Sequence, residues 1–464
     1  MKITFYGATR TVTGSQYLIQ VNGQRLLLEC GSFQGPRQET ANRNHTFQYK
    51  PEGVEAAILS HAHLDHCGNL PNLVKNGFHG PIFTTEASAD IADLVVRDSG
   101  HIQEADTQFV NKKRQQCGEP PIEPLYTVED AAQVAGLFNQ VSYNQTFEPI
   151  QGVTARLVDA GHILGSAAVV LDVEEHGRKF RFWYSGDIGR RHLPLLNDPV
   201  LPEFPDFLMM ECTYGDKLHR DLEEAYDEFR NTVLRTFQRG GKIIIPAFAI
   251  GRTQELVYFL NRLETEHELP AIPVYVDSPL AVATTRVFMD HQELFDDETQ
   301  KFIREGRHPA LNFPTLKYIQ SVDESKALNY QHQPMVIISA SGMAESGRIL
   351  HHLRNNIEDP RNTILIVSWQ APDTLGRRLA EQASEVRIFG ETFRRKAEVV
   401  TIGGLSAHAG QNELMQYARA AKGRLKQILL VHGEPKGAFP LRELMKEEQL
   451  APVAYPDYLE EMEV

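Results

Sequence analysis

Alternating apolar and polar residues mark the first part of the chain as a series of short strands. The Asn22-Gly23 pair is typical of a two-residue hairpin turn between two of them. Strands are predicted at 2–6, 15–21, 24–29, 56–59, 153–159, 167–173 and 180–184. Helical patterns interrupt them at 68–75 and in the long polar segment 86–116. This combination favours a layered α/β sandwich over one doubly wound sheet.

The pattern changes at about residue 206, where compact apolar strands begin to alternate with helical segments. Such alternation is typical of a buried, mainly parallel sheet. Its strands are predicted at 207–210, 242–246, 272–276, 335–339 and 363–367, and its helices include 222–238, 253–265 and 279–289. After residue 389 short strands return around a helix at 411–421. We interpret 208–394 as a second α/β domain inserted into a first domain, which comprises 1–207 and 395–464.

The composition of the 464 residues is that of a globular protein, with 42% hydrophobic and 23% charged residues and a net charge of −14. Apolar runs stay far below the roughly 18–20 residues of a membrane helix. The first residues, MKITFYGATRT, lack the pattern of an export leader. None of the four cysteines forms a CxxC pair, which argues against a disulfide scaffold and a thiolate zinc ribbon. We therefore expect a soluble, cytoplasmic protein without a polycationic coat for nucleic acid, although a basic groove can lie on an acidic body.

The strongest chemical signal is the segment Ser60-His61-Ala62-His63-Leu64-Asp65-His66, which directly follows a predicted strand. Imidazole and carboxylate groups are donors suited to zinc. Along an extended loop, His61 and His63 can address one ion, while Asp65 and His66 lie past a bend and can address a second. An exposed polar turn is the alternative. The small or apolar residues between the donors argue against it.

Three later segments offer further ligands, each with a polar residue just past an apolar strand. They contain His162, Asp187 and His432, with glycines beside them. Taken singly, each is more often an ordinary loop residue whose hydrogen bonds are satisfied. Together with the first loop they form a set that chance rarely assembles.

The motifs HAHLDH, GHILGSA, YSGDIG and a late VHGE resemble those of the metallo-β-lactamase fold. The long insertion, the segment Glu211-Cys-Thr-Tyr-Gly215 at its start and Leu405-Ser-Ala-His-Ala-Gly410 after it resemble the β-CASP branch. That branch contains nucleic-acid-processing enzymes, among them the endonuclease subunit of the eukaryotic pre-mRNA cleavage and polyadenylation machinery and similar bacterial ribonucleases. The resemblance implies an α/β fold: an αββα sandwich with an inserted β-CASP α/β domain, whose mainly parallel sheet is flanked by helices.

Carried over residue by residue, the resemblance implies two Zn2+ ions per chain. One would be held by His61, His63 and His162, the other by Asp65, His66 and His432, with Asp187 bridging both. Asp65 and Asp187 would thus be catalytic as well as metal-binding. A hydroxide between the ions would hydrolyse phosphodiesters and leave 5′-phosphate and 3′-hydroxyl ends.

Two more residues have roles that the resemblance implies. His408, which neither coordination set needs, would bind the scissile phosphate or protonate the leaving oxygen, and Glu211 would orient it. The alternative for His408 is a residue at a helix start, bracketed by Ser406 and Gln411. One position departs from the family, because Glu29 stands where the family has an Asp that orients a metal ligand. Cys67 is expected to be a buried, inert thiol.

Candidate substrate-binding residues lie at strand–loop–helix junctions of the insertion, where free N–H groups favour phosphate. They are Ser339, Ser341, Gly342 and Arg252, to which Arg377 is added from a basic pair. Ordinary tight connections remain the alternative, most of all for the loop before Arg252. The basic cluster 394–396 is a further candidate, whereas 112–114 is expected to be a solvated face.

The leading hypothesis is a zinc-dependent ribonuclease that cleaves single-stranded RNA in a cleft between the two domains. It is expected to be an endonuclease, and the sequence leaves open whether it also cleaves from the 5′ end. A small-molecule hydrolase with the same metals is one alternative, but it needs neither the insertion nor His408. A DNA-processing member of the branch is a second alternative, disfavoured by His432, because the DNA-directed members usually lack a histidine there. A non-catalytic binding subunit is a third, disfavoured because all seven ligands are retained. The sequence does not determine the oligomeric state and leaves a homodimer open.

Overall fold

The structure is a computed structural model, and it describes residues 1–35, 37–266, 272–306 and 309–464. The strands are β1 (Lys2–Phe5), β2 (Tyr17–Val21), β3 (Gln24–Leu28), β4 (Ala56–Ile58), β5 (Ile82–Thr84), β6 (Phe138–Gln140), β7 (Thr146–Ile150), β8 (Val153–Asp159), β9 (Ala167–Glu175), β10 (Arg178–Tyr184), β11 (Phe207–Glu211), β12 (Ile243–Pro246), β13 (Val274–Val276), β14 (Leu316–Tyr318), β15 (Val336–Ser339), β16 (Thr363–Ile366), β17 (Glu385–Ile388), β18 (Glu391–Arg394), β19 (Glu398–Thr401), β20 (Gln427–Val431), β21 (Val453–Ala454) and β22 (Glu461–Glu463).

The helices are α1 (Arg37–His45), α2 (Leu64–Cys67), α3 (Leu70–Lys75), α4 (Glu86–Gln116), α5 (Val128–Val134), α6 (Leu222–Gln238), α7 (Arg252–Thr265), α8 (Pro279–Asp290), α9 (Asp297–Glu305), α10 (Val322–Tyr330), α11 (Arg348–Asn356), α12 (Leu375–Ala380), α13 (Gln411–Ala420) and α14 (Pro435–Glu447). In the described ranges no helix combines the length and the apolar character that crossing a membrane requires.

Two compact units share the chain. The first comprises Met1–Arg191, Asp198–Leu218 and His408–Val464, and the second comprises His192–Asn197 and His219–Ala407. The sequence predicts the insertion at 208–394. Strand β11 pairs in parallel with β10 and β20 and so belongs to a sheet of the first unit.

Two seven-stranded sheets face each other in the first unit. One has the order β22-β1-β2-β3-β4-β5-β6 and the other β21-β20-β11-β10-β9-β8-β7. Apolar residues from both sheets form one core, which includes Phe5, Ile19, Leu171, Phe182 and Val431. The hairpin between β2 and β3 turns at Asn22 and Gly23, whose φ angles of 50° and 82° suit a two-residue turn. Alternation along the strands thus buries one face of each sheet.

Helices cover the outer face of the second sheet. Trp183 and Leu430 of this sheet pack with Leu414 of α13 and Leu441 of α14 in a separate apolar cluster. The Nε1–H group of Trp183 donates a hydrogen bond of 2.7 Å to the Tyr417 hydroxyl, so the buried indole is satisfied. The expected sandwich of sheets with helices outside is confirmed.

The second unit is built on a parallel sheet. Its six strands have the order β14-β13-β15-β12-β16-β19, and all of their pairings are parallel. Ile244, Ile337 and Ile366 of the sheet pack with Ile349 and Leu353 of α11 in one cluster. These strands are nearly continuous apolar runs, as expected for strands buried on both faces. The expected parallel sheet with flanking helices is confirmed.

Candidate metal centre

The polar residues predicted as ligands come together at one edge of the first unit. Asp187 follows β10, Glu211 ends β11 and His432 follows β20, and these three strands run parallel to one another. Parallel neighbours deliver their carboxyl ends to the same edge of a sheet. His162 lies in the loop between β8 and β9. Because β8 and β10 are both antiparallel to β9, that loop is at the same edge.

The loop with the His-rich motif links β4 to α2. His63 is the residue before α2, with an extended ψ of 148°, so His61 and His63 precede the bend and Asp65 and His66 lie in the helical turn. Backbone contacts pin this turn: the N–H of Ser15 donates to the Asp65 carbonyl at 2.8 Å. A Cβ atom on Gly31 would lie 1.6 Å from that same oxygen. Glycine is therefore required there to hold the ligand loop.

Four side chains form a first cluster. The Nε2 of His61 lies 3.1 Å and the Nε2 of His162 lies 3.2 Å from the Nδ1 of His63. The Oδ2 of Asp187 is 3.5 Å from both Nε2 atoms. These atoms surround one point with three nitrogens and one oxygen.

A second cluster adjoins the first. The Nε2 atoms of His66 and His432 are 3.3 Å apart, and the Oδ2 of Asp65 is 3.3 Å from the His432 Nε2. The Oδ1 of Asp187 is 3.3 Å from the Nε2 of His66. Asp187 therefore turns one oxygen to each cluster.

The donor set fits zinc. Zinc–ligand distances of about 2.0–2.2 Å in a tetrahedron place ligand atoms roughly 3.3–3.5 Å apart, close to the separations in both clusters. Within the described residues, the Asp187 Oδ1, like the Nδ1 atoms of His66 and His162, is buried without a hydrogen-bond partner. Neutral imidazole nitrogens that face each other at 3.1–3.3 Å lack enough protons to satisfy every lone pair. A cation among them removes this conflict.

Burial and the neighbouring charges set the protonation of the ligands. Burial holds the pKa of His61 and His162 well below the usual value and lowers that of His63 to about 4. Burial raises the pKa of Asp65, but the hydrogen bond with His432 and nearby histidines outweigh it and bring the pKa to about 2. Burial lowers the pKa of His66, but Asp187, Glu29 and Asp65 outweigh it and raise this pKa well above the usual value. The shifts of the other four groups favour neutral imidazoles and ionised carboxylates, which are the forms that bind a metal.

Polar groups outside the clusters orient the ligands. The Ser60 hydroxyl is 3.0 Å from the Nδ1 of His61, and the Thr213 hydroxyl is 3.2 Å from the Nδ1 of His432. Neither was among the candidates from the sequence. In the sequence, the only feature that could have pointed to Ser60 and Thr213 is their position within the motifs around His61 and Glu211. Such partners fix the ring orientation of a ligating histidine.

His408 lies beside the clusters and pairs with Glu211. Its Nδ1 is 3.1 Å from the Glu211 Oε1 and 3.9 Å from the Asp187 Oδ2. The Glu211 Oε1 also accepts a 2.7 Å hydrogen bond from the Ile188 N–H, which fixes the carboxylate. Burial lowers the pKa of His408, but the adjacent Glu211 charge and hydrogen bond raise it to about 9. Asp187, Glu211 and His408 form a third group in which a metal could fit.

Known families match three parts of the chain. The metallo-beta-lactamase superfamily matches residues 9–105, the Beta-Casp domain matches 253–379, and the Zn-dependent metallo-hydrolase RNA specificity domain matches 392–456. Ribonuclease TTHA0252 from Thermus thermophilus is 36% identical over 445 residues, which cover 96% of each chain. This chain belongs to the β-CASP family of the metallo-β-lactamase superfamily.

Other relatives of this β-CASP protein carry a different name. Transcription termination factor FttA from Methanocaldococcus jannaschii is 30% identical over 466 residues, 98% of this chain and 70% of FttA. A crystal structure of a protein of unknown function from Enterococcus faecalis shares the fold, with a TM-score of 0.57 at 14% identity over 99% of both chains. In the β-CASP protein described here, the His and Asp clusters form a metal site.

Glu29 shows how this β-CASP protein accommodates its departure from the family. Its φ is +64°, its Oε1 accepts a 3.0 Å hydrogen bond from the Ser60 N–H, and its Oε2 is 3.5 Å from the His66 Nδ1. The longer side chain thus lies close to the outer nitrogen of His66 without a hydrogen bond between those two atoms. Cys67 is buried and its thiol donates to the Ala62 carbonyl at 3.4 Å, and burial raises its pKa well above the usual value.

The candidate substrate-binding residues lie in the second unit. Ser339 is buried, and its hydroxyl donates a 2.8 Å hydrogen bond to the Asp277 carbonyl. Arg252 is also buried and paired with Glu255. Arg377 is paired with Glu381 at 2.6 Å on the surface. Ser341 and Gly342 lie in the loop after β15, where the Ser341 hydroxyl accepts a 3.3 Å hydrogen bond from the Glu345 N–H. Their role in binding substrate stays a prediction.

Proposed function

We propose that this β-CASP protein is a ribonuclease that hydrolyses phosphodiester bonds of single-stranded RNA with two Zn2+ ions. The arrangement of Asp187 carries the proposal, because each of its oxygens faces a separate set of ligand atoms at 3.3–3.5 Å. That is the arrangement of a carboxylate shared by two cations. The ribonuclease name of the relative from Thermus thermophilus supports RNA as the substrate.

The two clusters would hold the ions as separate sets. His61, His63 and His162 supply neutral nitrogens to the first, and Asp65, His66 and His432 supply two nitrogens and an oxygen to the second. Zinc ions in such sites supply a nucleophile at neutral pH and neutralise charge that develops on the phosphoryl group. The Ser60 and Thr213 hydroxyls lie within hydrogen-bond distance of the outer nitrogens of His61 and His432, so these two rings are oriented before substrate binds.

His408 would act on the substrate. Its Nδ1 lies 3.1 Å from the Glu211 Oε1, and we assign its Nε2 to a phosphate oxygen or to the leaving oxygen. A proton held at the Nε2 can pass to the 3′ oxygen as the bond to phosphorus breaks, while Glu211 stabilises the imidazolium that gives it up. This division of roles resembles that of other carboxylate–imidazole pairs in hydrolases.

The chain's acidity bears on how RNA is held. With a net charge of −14, the protein as a whole repels a polyanion, so the phosphates must be received at local sites. The N–H groups and hydroxyl of the Ser341–Gly342 loop are our candidates for one such site. Binding should weaken with salt because each phosphate contact releases counterions.

A cleavage assay tests the proposal. Zinc-replete protein is incubated with end-labelled unstructured RNA, DNA of the same sequence and a blunt RNA duplex, each with and without chelator. We expect the unstructured RNA to be cleaved fastest, into products with 5′-phosphate ends, and the chelator to stop the reaction. Cleavage that resists the chelator would contradict a metal-dependent reaction. Preference for DNA would redirect the proposal to a DNA-processing enzyme.

A further inference from the structure

Two of the exposed aromatic residues of the second unit, Phe248 and Trp369, lie on loops that follow strands of its parallel sheet. Of the protein's two tryptophans, Trp183 is fully buried and Trp369 is 48% exposed. The side chain of Phe248 is 43% exposed. A single exposed apolar residue is ordinary on a protein surface, but two exposed aromatic residues on loops that follow neighbouring strands suggest a binding site.

The parallel sheet brings both rings to one edge. Phe248 follows β12 and Trp369 follows β16, and these strands are parallel neighbours. Strand β15, which leads into Ser341 and Gly342, is the other neighbour of β12. Ligands of open parallel sheets bind beyond the carboxyl ends of the strands. The two rings are therefore placed where such a sheet binds ligands.

Contacts tie the three loops together around Gly342. A Cβ atom on Gly342 would lie 3.1 Å from the ring of Phe248, so that ring rests against the open face of the glycine. The Nε2 of Gln370, the residue after Trp369, donates a 3.0 Å hydrogen bond to the Gly342 carbonyl. The Ala247 N–H donates to the Ser339 carbonyl at 3.1 Å. The Phe248 ring thus packs against Gly342, and the loop that carries Trp369 is hydrogen-bonded to the same residue.

The charges at this edge point to the bases of a nucleic acid rather than to its phosphates alone. Arg252 is paired with Glu255, and Arg377 is paired with Glu381. Arginines that are neutralised in this way attract a polyanion weakly. Unpaired bases, in contrast, present flat π faces that stack on aromatic side chains whatever their identity.

We propose that Phe248 and Trp369 form a stacking platform for unpaired bases of single-stranded RNA. The proposal rests on the ribonuclease function proposed above and adds the residues that would hold the bases near Gly342. It also gives a physical reason for preferring single strands, because paired bases hide their faces inside a duplex. Stacking is tolerant of sequence, so the platform would bind RNA without reading it.

The test compares an unstructured RNA with the same RNA in which a run of nucleotides lacks bases. Binding of labelled oligonucleotides is measured by fluorescence anisotropy in chelator, so that the RNA stays intact. For the unchanged protein we expect the abasic RNA to bind about 5- to 150-fold more weakly for each stacked base lost. Trp369→Ala and Phe248→Ala should weaken the normal RNA by a similar factor, and the double variant should bind both RNAs equally.

Two controls separate stacking from other effects. Phe389→Ala removes a ring that is 50% exposed in the same unit, at the turn between β17 and β18, and it should leave binding of both RNAs unchanged. Trp369→Phe and Phe248→Tyr keep a ring and should restore most of the preference for RNA with bases. The slope of log affinity against log salt should be the same for the alanine variants as for the unchanged protein, since no phosphate contact is lost.

The outcomes distinguish this proposal from the function on which it rests. If the unchanged protein cleaves RNA but Trp369→Ala and Phe248→Ala still prefer RNA with bases to the same degree, the platform is wrong and the ribonuclease function stands. If the unchanged protein neither binds nor cleaves RNA, the proposed function itself fails. Should Phe248→Ala not fold, Trp369→Ala alone decides, because the exposed indole can be removed without opening the core.

Discussion

Each unit has a buried aspartate next to histidine, but the hydrogen bonding of the two carboxylates differs. Asp277 of the second unit accepts hydrogen bonds from the Ser325 hydroxyl at 2.5 Å, and from Arg348 and His352 at 2.6 Å each. Asp187 of the first unit has histidine nitrogens at 3.3–3.5 Å, and its Oδ1 has no hydrogen-bond partner within the described residues. Both carboxylates are at most 1% exposed.

The difference shows what separates a structural network from a metal site. Around Asp277 the partners are complementary, since a guanidinium, a hydroxyl and an imidazole all face the carboxylate, and the other nitrogen of His352 faces the Asn329 oxygen at 3.1 Å. Around Asp187 the imidazoles turn nitrogens toward one another as well as toward the carboxylate. A buried polar group without a partner costs free energy. Only the network around Asp277 is complete without an added cation.

The largest effect is expected for Asp187→Ala, which removes the carboxylate shared by the two clusters. Cleavage should fall below detection, and elemental analysis should find fewer than the two zinc ions that the unchanged protein is expected to hold. The fold should remain, because the other ligands and their outer partners stay in place. Asp277→Ala is the matched control: it should keep the full zinc content. A folded Asp187→Ala protein with near-normal cleavage would contradict the assignment.

His408→Ala should have the next largest effect, a fall in cleavage rate of about 10²–10⁴-fold, which is the usual contribution of a positioned acid or base. Because His408 is bound to Glu211 and the clusters are complete without it, its zinc content should match that of the unchanged protein. His432→Ala, in contrast, should lose metal. Comparing the zinc content of His408→Ala with that of His432→Ala decides whether His408 is a metal ligand. Its Nδ1 lies 3.9 Å from the Asp187 Oδ2, so the question has to be tested.

Glu211→Gln tests the role of His408 further, and it should reduce the cleavage rate by a smaller factor. The amide keeps a hydrogen bond to His408 but loses the charge that stabilises its protonated form, so the rate should fall by less than in His408→Ala. Its effect should also disappear in the His408→Ala background, since the carboxylate acts through that histidine. Additive losses in the double variant would show that Glu211 acts on something else.

The sequence predicts the site around Asp187 but not the network around Asp277, for a physical reason. Four of the predicted ligands lie within seven residues of one another, and the others follow strands with glycines beside them, so the pattern is visible in the chain. The partners of Asp277 are scattered singly along the second unit, and only the parallel sheet with α10 and α11 brings them together. Ser339 is an example. The sequence suggested it as a substrate-binding residue because of the loop in which it lies, but in the structure its hydroxyl donates a hydrogen bond to the Asp277 carbonyl.

Element boundaries show the same division between local and distant causes. The long helix α4 runs from Glu86 to Gln116, the range predicted from the sequence, because a Thr85 cap at one end and Gly118 just past the other are local signals. Strand β19 was expected beside the later strands of the first domain. In the structure it pairs with β16 in the sheet of the second unit, and such a pairing has no signal in the nearby residues.

Asp277→Ala should lower the stability of the second unit by about 3–5 kcal/mol, the usual cost of removing one partner from a buried charged network. Arg348 and His352 would be left facing a space without a carboxylate. Chemical unfolding with probes in each unit measures the loss, which should be confined to the second unit. Ser325→Ala, which removes a single neutral hydrogen bond, is the matched control and should cost about 0.5–1.5 kcal/mol. Equal losses in both variants would mean that the charge on Asp277 contributes nothing.

The smallest effect is the pH dependence that Asp277 gives to the second unit. Burial raises the pKa of its carboxyl, but the hydrogen bonds from His352, Ser325 and Arg348 outweigh burial and hold the pKa below the usual value of 3.8. A carboxyl whose pKa is lower in the folded state contributes its stability above the pKa of the unfolded chain and loses it as the pH falls through the folded value. The second unit should therefore lose this contribution below about pH 4, with the free energy of unfolding measured between pH 6 and pH 3. Asp277→Asn has no charge to titrate, so its stability should fall less over that range. If both proteins lost stability in parallel, the acid sensitivity would come from other carboxylates and the network around Asp277 would be no more than a set of neutral hydrogen bonds.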